Sequence, residues 1–327
     1  MITQPKALAR MEEETRKDMR RLEDSYNQAL RDLWDDTLKK IAASISHNYR
    51  RDFAGEKWNI VSANAKGTLG RIRTETAFIV SSFKEKAAVL IASGLDRIKE
   101  EERLRALWMI DQTTPGSFTP KPGFTAREAD TPRDKKATWA QTLEAWMEAY
   151  HSNLSTNLNL EALNEGNADD AASEPESTRI NNYEPIYKLQ SMFSTAAIKA
   201  EADARRSVFD SNQEVLKLEI WQTMEDGRVC NICDSYDGRP VEELGEIPPA
   251  HFNCRCYTRF VPAEYSNMLR SGDQAEREMA LRMDDAGLVP DALPIVSEKT
   301  GNIIGRAIVS FDDWKSNRGY NVGGTAR

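Results

Sequence analysis

The chain has 327 residues, with 44 lysines and arginines against 52 aspartates and glutamates, and a formal net charge of −8. This acidic balance argues against general binding to nucleic acid, which a basic surface favours. The first residues, MITQPKALARMEEETRK, lack the apolar segment of a secretory signal, and no apolar run reaches the ~18 residues of a membrane span. We therefore expect a chain made in a reducing cytosol, where clustered cysteines favour metal over disulfides.

The region 1–110 is predicted to form long helices. Apolar residues recur three or four positions apart from Ala7 to about Arg51, opposite a face that carries charges of both signs. A helix this long packs in a bundle or self-associates with a second copy. We favour the bundle, because the heptads are too irregular to indicate a coiled coil.

A second helix is predicted from about Ser62 to Trp108. Gly94 lies within it and predicts a kink or a break. The expected buried face consists of Ile72, Phe78 or Ile79, Phe83, Leu90 and Leu95.

Two segments interrupt the predicted helices. Residues 111–137 contain four prolines, which exclude a continuous helix, so we expect a surface loop or linker there. The region 138–218 is predicted to be helical again, with apolar side chains from Trp139 to Leu154. Within it, residues 164–182 are polar and acidic, which is typical of a mobile linker.

The helical region leads into a predicted strand. VLKLEIW, ending at Trp221, alternates apolar and polar residues, and YTRFV, starting at Tyr257, is its expected partner. Two short strands bury little apolar area, so a bound metal would supply the missing stability. We expect this small α+β module to span residues 219–265.

All four cysteines and one of the three histidines lie in this module. Cys230 and Cys233 form a C-x2-C pair, His251 and Cys254 form an H-x2-C pair, and Cys256 adds a further thiolate. Thiolates with imidazole favour Zn(II), although the ligand types do not exclude an iron–sulfur centre. We predict about one zinc ion per chain, in a structural site closed by four protein ligands.

Five donors compete for four tetrahedral positions. Cys254 and Cys256 lie two residues apart and face the same way in an extended chain, which would give four thiolates and leave His251 outside. HFNC, however, suits a tight turn, because Asn253 tolerates unusual backbone angles. We favour three thiolates with His251, and prefer Cys254 to Cys256.

The sequence offers no catalytic pattern. It contains no phosphate-binding loop, no dinucleotide-binding fingerprint and no Ser-His-Asp arrangement, and His47 and His151 are interpreted as structural residues of helices. We therefore predict that the protein is not an enzyme. Four arginines near the cysteines could contact phosphate, but we favour ion pairs with nearby carboxylates for Arg228, Arg239, Arg255 and Arg259.

Residues 266–327 are predicted to form a short helix, NMLRSGDQAEREMALRMDD, and then an extended arm with Trp314 and Tyr320. Aromatic side chains on an arm dock onto the same chain or onto a neighbour. The expected fold class is therefore mainly α: long N-terminal helices, a small zinc-bound α+β module and an extended C-terminal arm.

The module resembles the signature of phage head-morphogenesis proteins, the minor head proteins similar to protein F of phage Mu. The resemblance covers about Glu219 to Pro262 and rests on Trp221, Asp226, Cys230, Cys233, Gly238, Pro248, Pro249, His251, Cys254, Arg255 and Cys256. It implies a low-copy component of the virion head, made in the host cytoplasm and acting near the portal vertex. The implied partners are the portal, the major capsid protein and packaged DNA, with no membrane.

Two other functions are left open. One is a metal-dependent nuclease or other hydrolase built around the cluster, against which we note that no histidine follows His251. The other is a zinc-stabilised interaction adaptor. A portal gene immediately upstream would favour the phage interpretation over the adaptor.

Overall fold

The computed structural model describes residues 6–53, 63–113, 119–122, 138–163, 185–224, 228–262, 295–296, 303–304, 309–318 and 320. The chain is mainly helical there, as predicted. In chain order, the elements are α1 (Lys6–Phe53), α2 (Ala63–Thr113), α3 (Trp139–Leu163), α4 (Pro185–Ser211), β1 (Leu216–Gln222), α5 (Asn231–Tyr236), α6 (Val241–Leu244), β2 (Tyr257–Pro262), β3 (Ile295–Val296), β4 (Ile303–Ile304) and α7 (Phe311–Asn317). Among the described helices, none combines the length and the apolar character that crossing a membrane requires.

The chain forms two compact units, each assembled from separate segments. Unit 1 contains Met1–Glu23, Leu95–Arg133 and Thr195–Arg327, and unit 2 contains Asp24–Gly94 and Asp134–Ser194. Most of the predicted linker at 111–137, the acidic segment 164–182 and the predicted helix after Tyr265 lie outside the described residues.

The core of unit 2 is aromatic. The ring of Trp34 on α1 meets the edges of Phe83 on α2 and Tyr150 on α3, with centroid distances of 4.9 Å in both pairs. Phe78, an alternative in the predicted buried face, is 77% exposed, so that alternative is wrong. It lies five residues before Phe83, a separation that turns a side chain well away from the same helical face.

Gly94 is a point of close approach within unit 2. α2 continues through it, so the predicted break is wrong. A Cβ at this position would lie 2.9 Å from Cδ1 of Tyr26 and 3.1 Å from the ring of Phe193. The missing side chain therefore makes room for two aromatic rings.

We expect Gly94→Ala to lower the free energy of unfolding by about 1–3 kcal/mol, because overpacking outweighs the gain in helix propensity. Gly70→Ala is the matched control on the same helix. Nothing lies within 4 Å of its Cβ position, so about 0.5–1 kcal/mol of stabilisation is expected. Chemical denaturation of both variants checks this, and a stabilising Gly94→Ala would contradict it.

Residues 309–318 and 320 pack within unit 1, and part of this range is helical. Residues 311–317 form α7, so the expected extended arm is wrong over this range. Trp108 Nε1 donates to Val309 O (2.9 Å) and Trp314 Nε1 donates to Asp111 Oδ2 (2.7 Å). The ring of Tyr320 stacks on Trp314 at 5.5 Å. The aromatic residues of the arm therefore dock onto their own chain.

The predicted hairpin is confirmed. β1 and β2 pair antiparallel, with Trp221 opposite Thr258 and Ile220 opposite Arg259. Leu216 and Phe260 join the core of unit 1, which includes Val208 on α4. Because a two-stranded hairpin is marginal alone, this packing on the helices stabilises the sheet.

A buried ionic cluster lies in unit 1 and was not predicted. Its members are Glu12 and Arg16 on α1, Glu102 on α2, and Glu201 and Arg205 on α4. Arg205 contacts Glu12 (2.6 Å) and Glu102 (2.5 Å), and Arg16 contacts Glu102 (2.6 Å) and Glu201. Glu12 and Arg16 were predicted to lie on the charged face of the first helix, which the structure corrects because both are buried. The i, i+4 spacing of Glu and Arg at 12/16 and 201/205 was the only local signal.

Three carboxylates share two guanidinium groups in this cluster, so one carboxylate is in excess. Burial raises the pKa of Glu201 to about 7. The negative charges of Glu102 and Glu23 also raise this pKa, whereas Arg16 lowers it. The unfolded chain ionises this group near its ordinary value of 4.5. Between these two values the folded state binds more protons than the unfolded state, so stability falls as pH rises from about 4.5 to about 7.

We expect Glu201→Gln to remove this loss of stability. The variant and the wild type should have similar free energies of unfolding at about pH 5. As pH rises to about 8, the free energy of unfolding of the variant should exceed that of the wild type by up to about 3 kcal/mol. Urea denaturation at several pH values measures the difference. Parallel pH profiles for the two proteins would contradict the assignment.

Candidate metal centre

The first arm of the site is one short helical turn. Cys230 caps the N-terminus of α5, and its Sγ accepts a hydrogen bond from the backbone N–H of Cys233 at 3.5 Å. Asp234 N closes the turn on Cys230 O at 2.9 Å. The C-x2-C spacing therefore places both sulfurs on one side of the turn.

Strand β1 holds this first arm. Gly238 N donates to Trp221 O and Trp221 N donates to Arg239 O, each at 2.9 Å. Asp237 Oδ1 accepts from the backbone N–H of Thr223 at 2.7 Å and from Gln222 Nε2 at 3.0 Å. The Asp237 carboxylate therefore binds the end of β1.

The second arm is a tight turn that leads into β2. Cys254 N donates to His251 O at 3.1 Å, and Asn253 has φ 60°, the unusual backbone angle for which asparagine is suited. Pairing of β1 with β2 brings this turn next to the first arm.

The five predicted donors lie together. Nε2 of His251 is 3.1 Å from Sγ of Cys230 and 3.0 Å from Sγ of Cys233, and the sulfurs of Cys233 and Cys254 are 3.7 Å apart. The donor atoms form two overlapping groups, each within 4.8 Å, that could hold a metal ion: Cys230, Cys233 and His251, and Cys233, Cys254 and Cys256. Cys233 belongs to both.

The orientation of His251 suits a ligand. Its Nδ1 lies 2.8 Å from Phe252 O. A carbonyl oxygen only accepts, so Nδ1 carries a proton in this contact, and Nε2 faces the sulfurs. A ligating histidine is commonly fixed in this way by a backbone carbonyl at its other nitrogen.

The three buried thiols have pKa values that are shifted in opposite directions. Hydrogen bonding from the Cys256 thiol lowers the pKa of Cys254 to about 5, and the same contact raises the pKa of Cys256. Burial, with the charge of Cys254, raises the pKa of Cys233 to about 12. A cation among these sulfurs would offset the repulsion, so the donor set fits a metal ion.

An apolar wall covers one side of the sulfurs. Trp221, which is fully buried, packs against Cys233, Cys254 and Cys256. Its ring meets that of Tyr236 edge-on at 5.1 Å. Three of the donors are buried, whereas Cys230 and His251 are partly exposed.

The other two histidines lie outside this site. His47 and His151 belong to unit 2, and Nε2 of His151 lies 3.3 Å from Arg73 O.

No protein-family model, curated protein or solved structure matches this chain.

Proposed function

We propose that the cluster binds one Zn(II) as a structural ion through Cys230, Cys233, His251 and Cys254. The observation that carries this proposal is the convergence of His251 Nε2 on the sulfurs of Cys230 and Cys233, at 3.1 and 3.0 Å, with Cys254 Sγ 3.7 Å from Cys233. Cys256 then stays a thiol outside the ligand set, with its sulfur within 4.8 Å of those of Cys233 and Cys254.

Zinc suits this donor set better than an iron–sulfur centre. Iron–sulfur clusters are usually held by four thiolates, whereas an imidazole nitrogen here points among the sulfurs. Four protein ligands also leave no position for water or substrate, which favours a structural role over hydrolysis. The ion would join the two arms of the module directly, in addition to the pairing of β1 with β2.

At the level of the whole chain, we propose a structural role in head morphogenesis of a tailed phage, near the portal. The resemblance of residues 219–262 to minor head proteins supports this proposal. The local architecture is compatible with this role, because β1 and β2 of that segment pair with each other and Phe260 of β2 stacks on Phe209 of α4.

Quantitative mass spectrometry of purified phage particles tests this role. The chain should be present in the head at far fewer copies than the major capsid protein, and it should co-purify with the portal. Absence from the particle, or a copy number equal to that of the shell protein, would contradict the proposal.

A further inference from the structure

The second arm of the metal centre is attached to α4 at both ends. At one end, the backbone N–H of Asn253 donates to Thr195 Oγ1 at 3.0 Å. At the other, Arg205 NH1 donates to the backbone carbonyl of Thr258 at 2.5 Å. Cys254 and Cys256 lie between these two attachments.

The two attachments lie well apart on the helix. Thr195 and Arg205 are ten residues apart on α4, which is a rise of about 15 Å. Asn253 precedes Cys254, and Thr258 follows Cys256, so the two cysteines lie between residues that are both hydrogen-bonded to α4.

Both attachment points are themselves fixed. Thr195 is fully buried. The guanidinium of Arg205 is held by Glu12 and Glu102 of the ionic cluster, at 2.6 and 2.5 Å. Thr258 is fixed by a second hydrogen bond, because its hydroxyl donates to the carboxylate of Glu219 on β1 at 2.6 Å.

The residue between Cys256 and Thr258 is also engaged. The guanidinium of Arg16 lies over the ring of Tyr257, 5.0 Å from its centroid. One small cavity lies between α4 and the arm. It is lined by Cys256, Tyr257 and Thr258 together with Arg16, Glu102 and residues of α4 that include Glu201 and Arg205. The strand that follows the ligands thus rests directly on the ionic cluster.

We infer that Thr195 and Arg205 are positioning residues of the metal centre, which fix the second ligand arm along α4 before metal binds. The inference rests on the proposed zinc site. Its consequence is that metal affinity depends on residues of the helical core that act only through the backbone of the arm. Loss of a group that orients a metal ligand typically lowers affinity by about 10- to 100-fold.

Thr195→Val tests the inference most cleanly, because it keeps the shape of the side chain and removes the hydroxyl that accepts from Asn253 N. Zinc affinity of the full chain, measured by competition with a chromophoric chelator, should fall by about 10-fold or more, and release should be faster. Thr195→Ser keeps the acceptor and should restore wild-type affinity. Arg205→Met should lower affinity at least as much as Thr195→Val.

Thr76→Val is the matched control. Thr76 is a fully buried threonine of α2 whose hydroxyl donates to Ile72 O within its own helix, so zinc affinity should not change. The visible absorption of bound Co(II) gives a second readout, since a displaced sulfur should alter the spectrum of Thr195→Val and leave that of Thr76→Val unchanged.

The outcomes separate the two proposals. A wild-type chain that binds no zinc would overturn the metal site, and the inference with it. A wild-type chain that binds zinc, with equal affinity in Thr195→Val, would overturn the inference alone. Equal losses in Thr195→Val and Thr195→Ser would also overturn it, because packing and not the hydrogen bond would then be responsible.

Discussion

Cys233→Ser is expected to abolish zinc retention, from about one ion per chain to nearly none, and to loosen residues 219–262. Cys233 is the donor that both groups of candidate ligands share, and it is buried against Trp221. Serine offers a hard oxygen in place of a soft thiolate and leaves a polar group among buried sulfurs. Zinc analysis after dialysis measures the loss, and limited proteolysis measures the loosening.

The helices should survive this substitution, because the core of unit 2 and the ionic cluster contain no metal ligand. Far-UV circular dichroism should therefore remain close to that of the wild type. Cys256→Ser is the matched control: it removes a buried cysteine that directly precedes β2 and lies outside the proposed ligand set, so this variant should retain zinc. Full zinc retention by Cys233→Ser, or its loss in Cys256→Ser alone, would contradict the proposed ligands.

Glu102→Gln is expected to lower the free energy of unfolding by about 3–5 kcal/mol. Glu102 is fully buried and contacts both arginines of the ionic cluster, at 2.6 Å from Arg16 and 2.5 Å from Arg205. Burial alone would raise its pKa, but the two guanidinium groups outweigh burial and hold that pKa below its ordinary value. The amide removes the one carboxylate that both guanidinium groups contact, and Arg16 then keeps only Glu201 and Arg205 keeps only Glu12.

Glu100→Gln provides the matched control on the same helix. Glu100 pairs with Arg103 at 2.6 Å, but its side chain is 55% exposed, so the loss should stay below about 1 kcal/mol. Chemical denaturation at neutral pH compares the two variants. Equal destabilisation would show that the cluster is no stronger than a surface ion pair.

The parts of the structure that the sequence predicted are those with a local cause. The three-to-four spacing of apolar residues placed α1 and α3 to within a few residues, and the alternation in VLKLEIW predicted β1. The candidate donors were recognised because Cys230 and Cys233, like His251 and Cys254, lie at a short spacing that one turn can close.

The parts that it missed depend on contacts between distant segments. Glu12 and Arg16 resemble surface charges until Glu102 and Arg205 surround them. Gly94 resembles a helix breaker until Tyr26 and Phe193 occupy the space of its side chain. In both cases the deciding neighbour lies tens of residues away and leaves no local pattern.

The C-terminal helix is a similar case. Ser310 caps α7 by accepting from Asp313 N, which is a local signal, but the glycines and prolines around it favoured an extended chain. Packing of Phe311 on Trp108, with ring centroids 5.6 Å apart, stabilises the short helix.

The most direct test of the metal site is X-ray absorption at the zinc edge, combined with elemental analysis. Both use freshly purified protein that has not been exposed to a chelator. The expected result is about one zinc per chain, with three sulfurs at about 2.3 Å and one nitrogen at about 2.0 Å. A shell of four sulfurs with full zinc content in His251→Ala would contradict the choice of His251. Chain that contains no metal, or that carries a disulfide between Cys230 and Cys233, would contradict the site itself.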